Sequence, residues 1–270
     1  MSADPILMGI VNVTPDSFSD GGEWFEASDA ITHGLELERD GAAILDVGGE
    51  STRPGAKPVA EAEELRRTIP VVEALARSGA QVSIDTSKLV VAKAAVAAGA
   101  TYVNDVSAFR AEPELAGFVA ESKAHCCLMH MLGEPRTMQR NPRYGDVVDE
   151  VKAFLSERAE VAIKAGIAEE RIDVDPGIGF GKKMEHNLEL LRRLDEIVAL
   201  GFRVVIGVSR KSFISKLDPS ASDPHDRVSG TNAANVLAYE RGARVFRVHD
   251  VAPARQALAL AAATLGANGG

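Results

Sequence analysis

Polar side chains directly follow a series of short apolar runs in this sequence, and their types fall into two chemical groups. Asp85, Asn104 and Asp175 offer carboxylate and amide oxygens. A flat heterocycle with adjacent N–H donors suits them, because one carboxylate accepts two parallel hydrogen bonds. The second group is cationic or nearly so and suits phosphate or another anion; its members are Lys211, Arg247 and His249. Together the groups indicate transfer of a heterocyclic group with loss of an anion.

Two further positions at the ends of apolar runs carry oxygen atoms. Asn12 and Asp46 are of the kind that a Mg²⁺–diphosphate pair uses, although two oxygens alone are a weak metal signal. His130 also ends an apolar run, and a buried structural role is favoured for it over that of a catalytic base. Any one of these residues could merely end a strand. The argument for chemistry depends on the whole set.

The apolar runs themselves predict the elements that would position this set. Gly-Ala leads into an apolar run at Gly41, Gly79, Gly99 and Gly242, and similar runs occur at 6–11, 126–129, 172–174 and 204–208. Continuously apolar runs are typical of parallel strands that are covered on both faces. Segments with helical periodicity follow at 27–40, 60–78, 87–98, 113–122, 146–165, 186–200, 226–241 and 253–265. Eight such units predict an α/β fold, a closed (β/α)8 TIM barrel, forming a single domain over 1–270 with its site at the carboxyl ends of the strands.

Composition excludes several classes of protein. The chain has 30 basic and 39 acidic residues, a formal charge of −9, and no run rich in Lys or Arg, so we expect no nucleic-acid partner. No apolar stretch approaches the length of a membrane span, and no secretory leader is recognisable, so we expect a cytoplasmic protein without membrane contact. Adjacent Cys126 and Cys127 lie in an apolar run, which favours two buried thiols in a reducing compartment.

Longer motifs surround these positions. They read NVTPDSFSDGG from Asn12, DVGGESTRPG from Asp46, SIDT from Ser83, NDVS from Asn104, DPGIGFGK from Asp175, SRKS from Ser209 and RVHD from Arg247. In this order, and over about residues 6–251, the chain closely resembles the dihydropteroate synthase family. Members of that family join 6-hydroxymethyl-7,8-dihydropterin diphosphate to p-aminobenzoate and release pyrophosphate, which makes 7,8-dihydropteroate for folate synthesis.

The resemblance implies a role for each matching residue. A pterin pocket would use Asp85, Asn104, Asp175 and Lys211, with Val106 and Met129 as apolar walls. The diphosphate would lie on Asn12, Arg247 and His249, with Mg²⁺ near Asn12. The p-aminobenzoate site would be outlined by Ser212, Phe180, Gly179 and Pro54, with Thr52 and Arg53 closing over it. The catalytic residues implied are Asp20, Arg53 and Lys211, with Asp20 stabilising positive charge that develops on the pterin.

The resemblance also implies a homodimer and inhibition by sulfonamides, which mimic p-aminobenzoate. Two alternatives stay open at this point. One is a methyltransferase of the methyltetrahydrofolate–corrinoid type, which shares the Asp/Asn pterin pocket but has no need of the anion site. The other is a catalytically silent relative that binds the pterin diphosphate without turnover.

Overall fold

Eight parallel strands form a closed barrel in chain order, with β8 pairing with β1. The computed structural model describes residues 4–14, 23–52 and 55–266. The strands are β1 Ile6–Asn12, β2 Ile44–Gly48, β3 Gln81–Asp85, β4 Tyr102–Asp105, β5 His125–Met129, β6 Ile172–Asp175, β7 Arg203–Ile206 and β8 Val245–Val248. The predicted closed (β/α)8 barrel is therefore confirmed.

Helices surround the barrel between successive strands. They are α1 Glu23–Asp40, α2 Glu61–Arg77, α3 Leu89–Ala97, α4 Glu114–Ser122, α5 Val147–Lys164, α6 Met184–Arg192, α7 Leu194–Val198, α8 Ser212–Leu217, α9 Val228–Glu240 and α10 Val251–Gly266. The four glycines of the Gly-Ala repeat all have positive φ, between 96° and 112°, and so end a helix and start the turn into a strand. Within the described ranges, no helix has both the length and the apolar character to cross a bilayer.

Two helical segments differ from the sequence prediction. The predicted helix over 186–200 is divided into α6 and α7 at Arg193, whose φ of −109° and ψ of 30° depart from helical values. The helix α8 was not predicted at all. It has six residues, of which Phe213 and Ile214 are buried, and this is too short to show a helical period.

The amino-terminal end of the barrel is filled by side chains. A small apolar cluster there includes Met8, Ile44 and Tyr102. The Tyr102 hydroxyl donates to Asp173 Oδ2 at 2.6 Å, and Arg203 donates to both oxygens of that carboxylate at 2.8 Å. These polar groups satisfy one another, whereas the catalytic groups of a parallel barrel lie at its opposite, carboxyl-terminal end.

Candidate active site

The strands bring the predicted polar residues together at the carboxyl-terminal end of the barrel. Asn12, Asp85, Met129 and Asp175 are the last residues of β1, β3, β5 and β6. Asp46 and Asn104 lie inside the ends of β2 and β4, and Arg247 lies in β8 with His249 just beyond it. Because neighbouring parallel strands are in register, these side chains form one ring.

Arg247 links three strands of this ring. Its Nε donates to Asp46 Oδ2 at 2.6 Å, and its Nη2 donates to Asp85 Oδ2 at 2.8 Å. Asn104 Nδ2 donates to the same Asp46 oxygen at 3.0 Å. Asp46 is fully buried, whereas the Arg247 side chain is 22% exposed and can reach a bound molecule. Two of the predicted heterocycle acceptors, Asp85 and Asn104, therefore share one hydrogen-bonded network with Arg247 of the predicted anion group.

Burial shapes the charge of Asp85. It raises the pKa of this carboxyl to about 7, against the opposing attraction of Arg247, while the negative charge of Asp46 adds to the rise. A carboxyl in this condition is poised between its neutral and ionised forms near neutral pH.

Asp175 and Lys211 form the other half of the ring. Burial raises the pKa of Asp175, although the positive charge of Lys211 acts to lower it. Burial likewise lowers the pKa of Lys211 to about 8, against the attraction of Asp175. Lys211 Nζ donates to the carbonyl of Ile178 and lies 4.4 Å from the centroid of the Phe180 ring. The two groups are an acceptor and a donor of opposite charge, and the donor lies over an aromatic face.

The turn that follows β6 carries Gly179 and Phe180. Gly177 has a φ of 67°, and a Cβ on it would lie 1.9 Å from the carbonyl oxygen of His130. A Cβ on Gly179, with φ 86°, would lie 3.0 Å from Lys211 Cδ. Only glycine therefore lets this turn approach β5 and Lys211 so closely.

Lys182 holds the same turn from inside, and the sequence analysis missed its role. Its Nζ donates to the carbonyls of Gly177 at 3.0 Å and Phe180 at 3.1 Å, and it lies 2.8 Å from His130 Nδ1. Burial and the charge of Lys182 lower the pKa of His130 to about 2, so this ring is neutral. This arrangement accords with a structural role for His130. A lysine that follows a glycine-rich turn was the available signal, but nothing in the sequence shows its burial.

An apolar wall lies beside these polar groups. Met129, predicted as part of the pterin pocket, packs in one cluster with Val106 and Phe180. Met131 and Met138 belong to the same cluster and were not predicted. They come from the stretch after β5 that the sequence analysis treated only as a long loop.

The segments after β7 and β8 supply further predicted residues. Ser212 is exposed at the first position of α8. His249 Nδ1 lies 2.9 Å from Ser209 Oγ, and the His249 amide donates to the same oxygen at 3.1 Å. Arg210 donates from Nε to Asp250 Oδ2 at 2.8 Å, so its guanidinium is paired with a carboxylate.

The loop after β2 is fixed at its base. Lys88 Nζ donates to Glu50 Oε2 and Glu64 Oε2, each at 2.5 Å, and to the carbonyl of Val59 at 2.7 Å. Thr52 lies in this loop and is half-buried. Three predicted site residues, Asp20, Arg53 and Pro54, lie outside the described residues.

Within the described ranges, no group of three or more acidic, His or Cys side chains could hold a metal ion. Asn12 is half-buried at the end of β1 and offers a single neutral oxygen. A Mg²⁺ ion commonly binds through one or two protein oxygens together with substrate phosphates and water, so this donor set fits Mg²⁺ only in company with a phosphorylated molecule.

Comparisons with known proteins agree on one family. Residues 8–249 match the model of the pterin binding enzymes. A curated dihydropteroate synthase from Synechocystis sp. is 47% identical over 246 residues, which cover 91% of this chain and 85% of that protein.

Solved structures give the same result. The chain is similar, with a TM-score of 0.91 and 48% identity over 97% of this chain and 93% of the other, to Xanthomonas albilineans dihydropteroate synthase with 4-aminobenzoic acid. It is also similar to Yersinia pestis dihydropteroate synthase in a complex with a sulfonamide drug. There the TM-score is 0.92 and the identity 41%, over 98% of this chain and 96% of the other.

Proposed function

This chain belongs to the dihydropteroate synthase family, and we propose that its active site joins 6-hydroxymethyl-7,8-dihydropterin diphosphate to p-aminobenzoate, giving 7,8-dihydropteroate and pyrophosphate. The enzyme is thus a transferase that forms a C–N bond. One observation carries the proposal: Arg247 is hydrogen-bonded to Asp85, so a heterocycle acceptor and an anion-binding cation lie side by side. Such a site matches a substrate that has a flat N–H-rich ring at one end and a diphosphate at the other.

The buried residues of the site recognise the pterin. The carboxylates of Asp85 and Asp175 accept from N–H groups of the pterin, and Lys211 donates to an acceptor atom of the pterin. Asn104 presents its carbonyl oxygen to the substrate, since its amide nitrogen is engaged by Asp46. Val106 and Met129 lie against the faces of the ring and exclude water.

The diphosphate end depends on cations. Arg247 and His249 bind the leaving group and spread its negative charge as the bond between the methylene carbon and the bridging oxygen breaks. We propose that Mg²⁺ binds there with Asn12 as its protein ligand; when bound, it would supply further neutralisation of the diphosphate. The prediction for Asn12→Ala is a higher Mg²⁺ concentration for half-maximal rate, with an unchanged affinity for the unphosphorylated pterin.

The carbon left by the diphosphate is electron-poor, and the arylamine attacks it. Phe180, Gly179 and Ser212 border the space next to Lys211 where the p-aminobenzoate ring would lie. The arylamine is neutral at pH 7, so the step forms the C–N bond and releases one proton without a strong base. We propose that Asp20, Arg53, Pro54 and Thr52 complete the site from two loops, with Asp20 and Arg53 acting together with Lys211 in catalysis.

The test is a coupled pyrophosphate assay on the purified protein with Mg²⁺. We expect release only when both the pterin diphosphate and p-aminobenzoate are present. No release under these conditions would refute the proposal. Binding of the pterin diphosphate without turnover would instead indicate a silent relative, and methyl transfer to a corrinoid would indicate the methyltransferase alternative.

Inhibition supplies a second test. Sulfonamides resemble p-aminobenzoate, and we propose that they compete for the space beside Phe180 and Ser212. We expect inhibition that increasing p-aminobenzoate relieves and that increasing pterin diphosphate does not. Inhibition independent of p-aminobenzoate would contradict this assignment of the space.

We further propose that the enzyme is a cytoplasmic homodimer built of single-domain subunits. Two buried free thiols, Cys126 and Cys127, support a reducing compartment. Leu237 on α9 and Leu260 on α10 are 47% and 71% exposed on helices that pack together, which supports a contact on that side. Light scattering on a sizing column tests the dimer, and a monomer at micromolar concentration would contradict it.

A further inference from the structure

Asp46 is a buried carboxylate that is not among the groups assigned to the substrates. It lies in β2 with none of its surface exposed. One of its oxygens, Oδ2, accepts both Arg247 Nε at 2.6 Å and Asn104 Nδ2 at 3.0 Å. Asp46 therefore holds one residue from each half of the proposed site, the anion-binding arginine and the pterin-binding asparagine.

The contact with Asn104 determines which amide atom faces the substrate. An ionised carboxylate accepts hydrogen bonds and donates none, so the amide nitrogen must point to Asp46. The carbonyl oxygen is thereby left to face the pocket as an acceptor. Without Asp46 the amide could rotate and present a donor where the pterin needs an acceptor.

The contact with Arg247 has a different consequence. Arg247 uses Nε for Asp46 and Nη2 for Asp85, so its guanidinium lies between two carboxylates. In the proposed function, Asp85 also accepts from the pterin ring, and the ring and Nη2 compete for the same carboxylate. The pterin ring does not contact Asp46, because Asp46 has no exposed surface. The hydrogen bond from Arg247 Nε to Asp46 therefore persists while the pterin and Nη2 compete for Asp85.

We propose that Asp46 is a positioning residue that keeps Arg247 in place when the pterin ring takes Asp85, so that Nη2 turns to the diphosphate. The inference rests on the proposed function, since it assigns Asp85 to the ring and Arg247 to the diphosphate. Through this role of Asp46, recognition of the pterin ring and recognition of the diphosphate depend on each other.

Calorimetric binding of two ligands tests the proposal without need of turnover. The ligands are the pterin diphosphate, with Mg²⁺, and 6-hydroxymethylpterin, which lacks the diphosphate. The ratio of their dissociation constants measures what the diphosphate contacts contribute. In Asp46→Asn, which keeps an acceptor oxygen but removes the charge, we expect this ratio to shrink by about tenfold, the size of effect typical for one charge-assisted hydrogen bond.

A matched control is available at the other end of the barrel. Asp173 is also a buried carboxylate that pairs with an arginine, Arg203, but its partners lie at the amino-terminal end of the barrel. Asp173→Asn should cost stability as Asp46→Asn does, while its ratio of dissociation constants stays at the wild-type value. An equal loss of the ratio in both variants would show that general destabilisation is the cause, and would overturn the proposal.

A double-mutant comparison tests whether Asp46 acts through Arg247. Arg247→Met removes the diphosphate contact, and adding Asp46→Asn to it should shrink the ratio no further. A further loss in the double variant, or an unchanged ratio in Asp46→Asn alone, would overturn the proposal. If Asp46→Asn alone gives no soluble protein, Asp46→Glu takes its place, because it keeps the charge but displaces the carboxylate from Arg247 Nε, and the same reduction of the ratio is expected.

Failure of the proposed function would look different. A wild-type protein that binds the pterin diphosphate but releases no pyrophosphate refutes the activity and leaves the binding ratios interpretable. A wild-type protein that turns over normally, with Asp46→Asn binding like wild type, refutes the role of Asp46 alone.

Discussion

At the scale of residues, two buried groups of opposite charge make the site sensitive to pH. Burial raises the pKa of Asp85 to about 7, and it lowers that of Lys211 to about 8. Below the first value Asp85 is protonated and loses acceptor capacity, and above the second Lys211 is neutral and loses its charge. We expect kcat/KM for the pterin diphosphate to follow a bell with limbs near these two values, measured by initial rates between pH 5.5 and 9.5.

Lys211→Arg separates the two limbs of this profile. Arginine stays protonated throughout that pH range, so the alkaline limb should disappear or move upward even though the maximal rate falls. The acid limb should remain, because Asp85 is unchanged. An alkaline limb that persists in this variant would show that another group, or the substrate, causes it.

Residues at the ends of strands were the part of the site that sequence could predict. Asp85, Asn104, Asp175 and Arg247 follow apolar runs, and a parallel barrel gathers such ends at one edge. The bond between Arg247 and Asp46 could not be predicted, because 201 residues separate the two in sequence and only the register of β1 with β8 and β2 brings them together. The burial of Lys182 could not be predicted either, because lysine is usually exposed.

At the scale of elements, the turn after β6 depends on one glycine. In Gly177→Ala the new Cβ would lie 1.9 Å from the His130 carbonyl oxygen, at a φ of 67°. The turn would have to move and take Phe180 with it, so we expect a loss of several kcal/mol of stability, as for other severe packing clashes, together with a raised KM for p-aminobenzoate. Thermal melting and initial rates measure the two effects.

Gly201→Ala provides the control for that prediction. Gly201 also has positive φ, 91°, but a Cβ on it meets nothing within 4 Å. Its cost should be limited to the backbone conformation, about 1 kcal/mol, with KM unchanged. Equal costs for the two variants would show that the close approach to His130 contributes little.

The observed helix and strand boundaries agree with the sequence prediction where the pattern of apolar residues was long enough to show a period. The glycines that end helices marked the starts of several strands, and α2, α3 and α5 lie within a residue or two of their predicted limits. The break between α6 and α7 was missed because the apolar period continues across Arg193. The apolar cluster of Met131 and Met138 was missed because its members come from an irregular segment that has no period at all.

At the scale of the whole molecule, the two ends of the barrel have separate tasks. Tyr102→Phe removes a hydroxyl that donates to Asp173 at the amino-terminal end, while Arg203 continues to satisfy that carboxylate. We expect a loss of about 1–2 kcal/mol in the free energy of unfolding, with kcat and both KM values unchanged. Urea unfolding and steady-state kinetics provide the measurements.

Tyr144→Phe is the counterpart at the catalytic end. Its hydroxyl donates to the carbonyl of Gly181 at 2.8 Å, in the turn that carries Phe180. Here we expect KM for p-aminobenzoate to rise. If Tyr102→Phe changed KM as much as Tyr144→Phe, the division of tasks between the two ends would be wrong.

The pairing of Arg247 with Asp46 also has a consequence for folding during synthesis. While the chain is being synthesised, the acids of β2 and β3 emerge long before the arginine of β8, which is the last strand. No substrate pocket can therefore exist on the ribosome until the final strand has docked against the first. A ligand that binds both Asp85 and Arg247 links β3 to β8, the strand that docks last. At a free concentration one hundred times its dissociation constant, this ligand would add about 2.7 kcal/mol to the free energy of unfolding of the barrel.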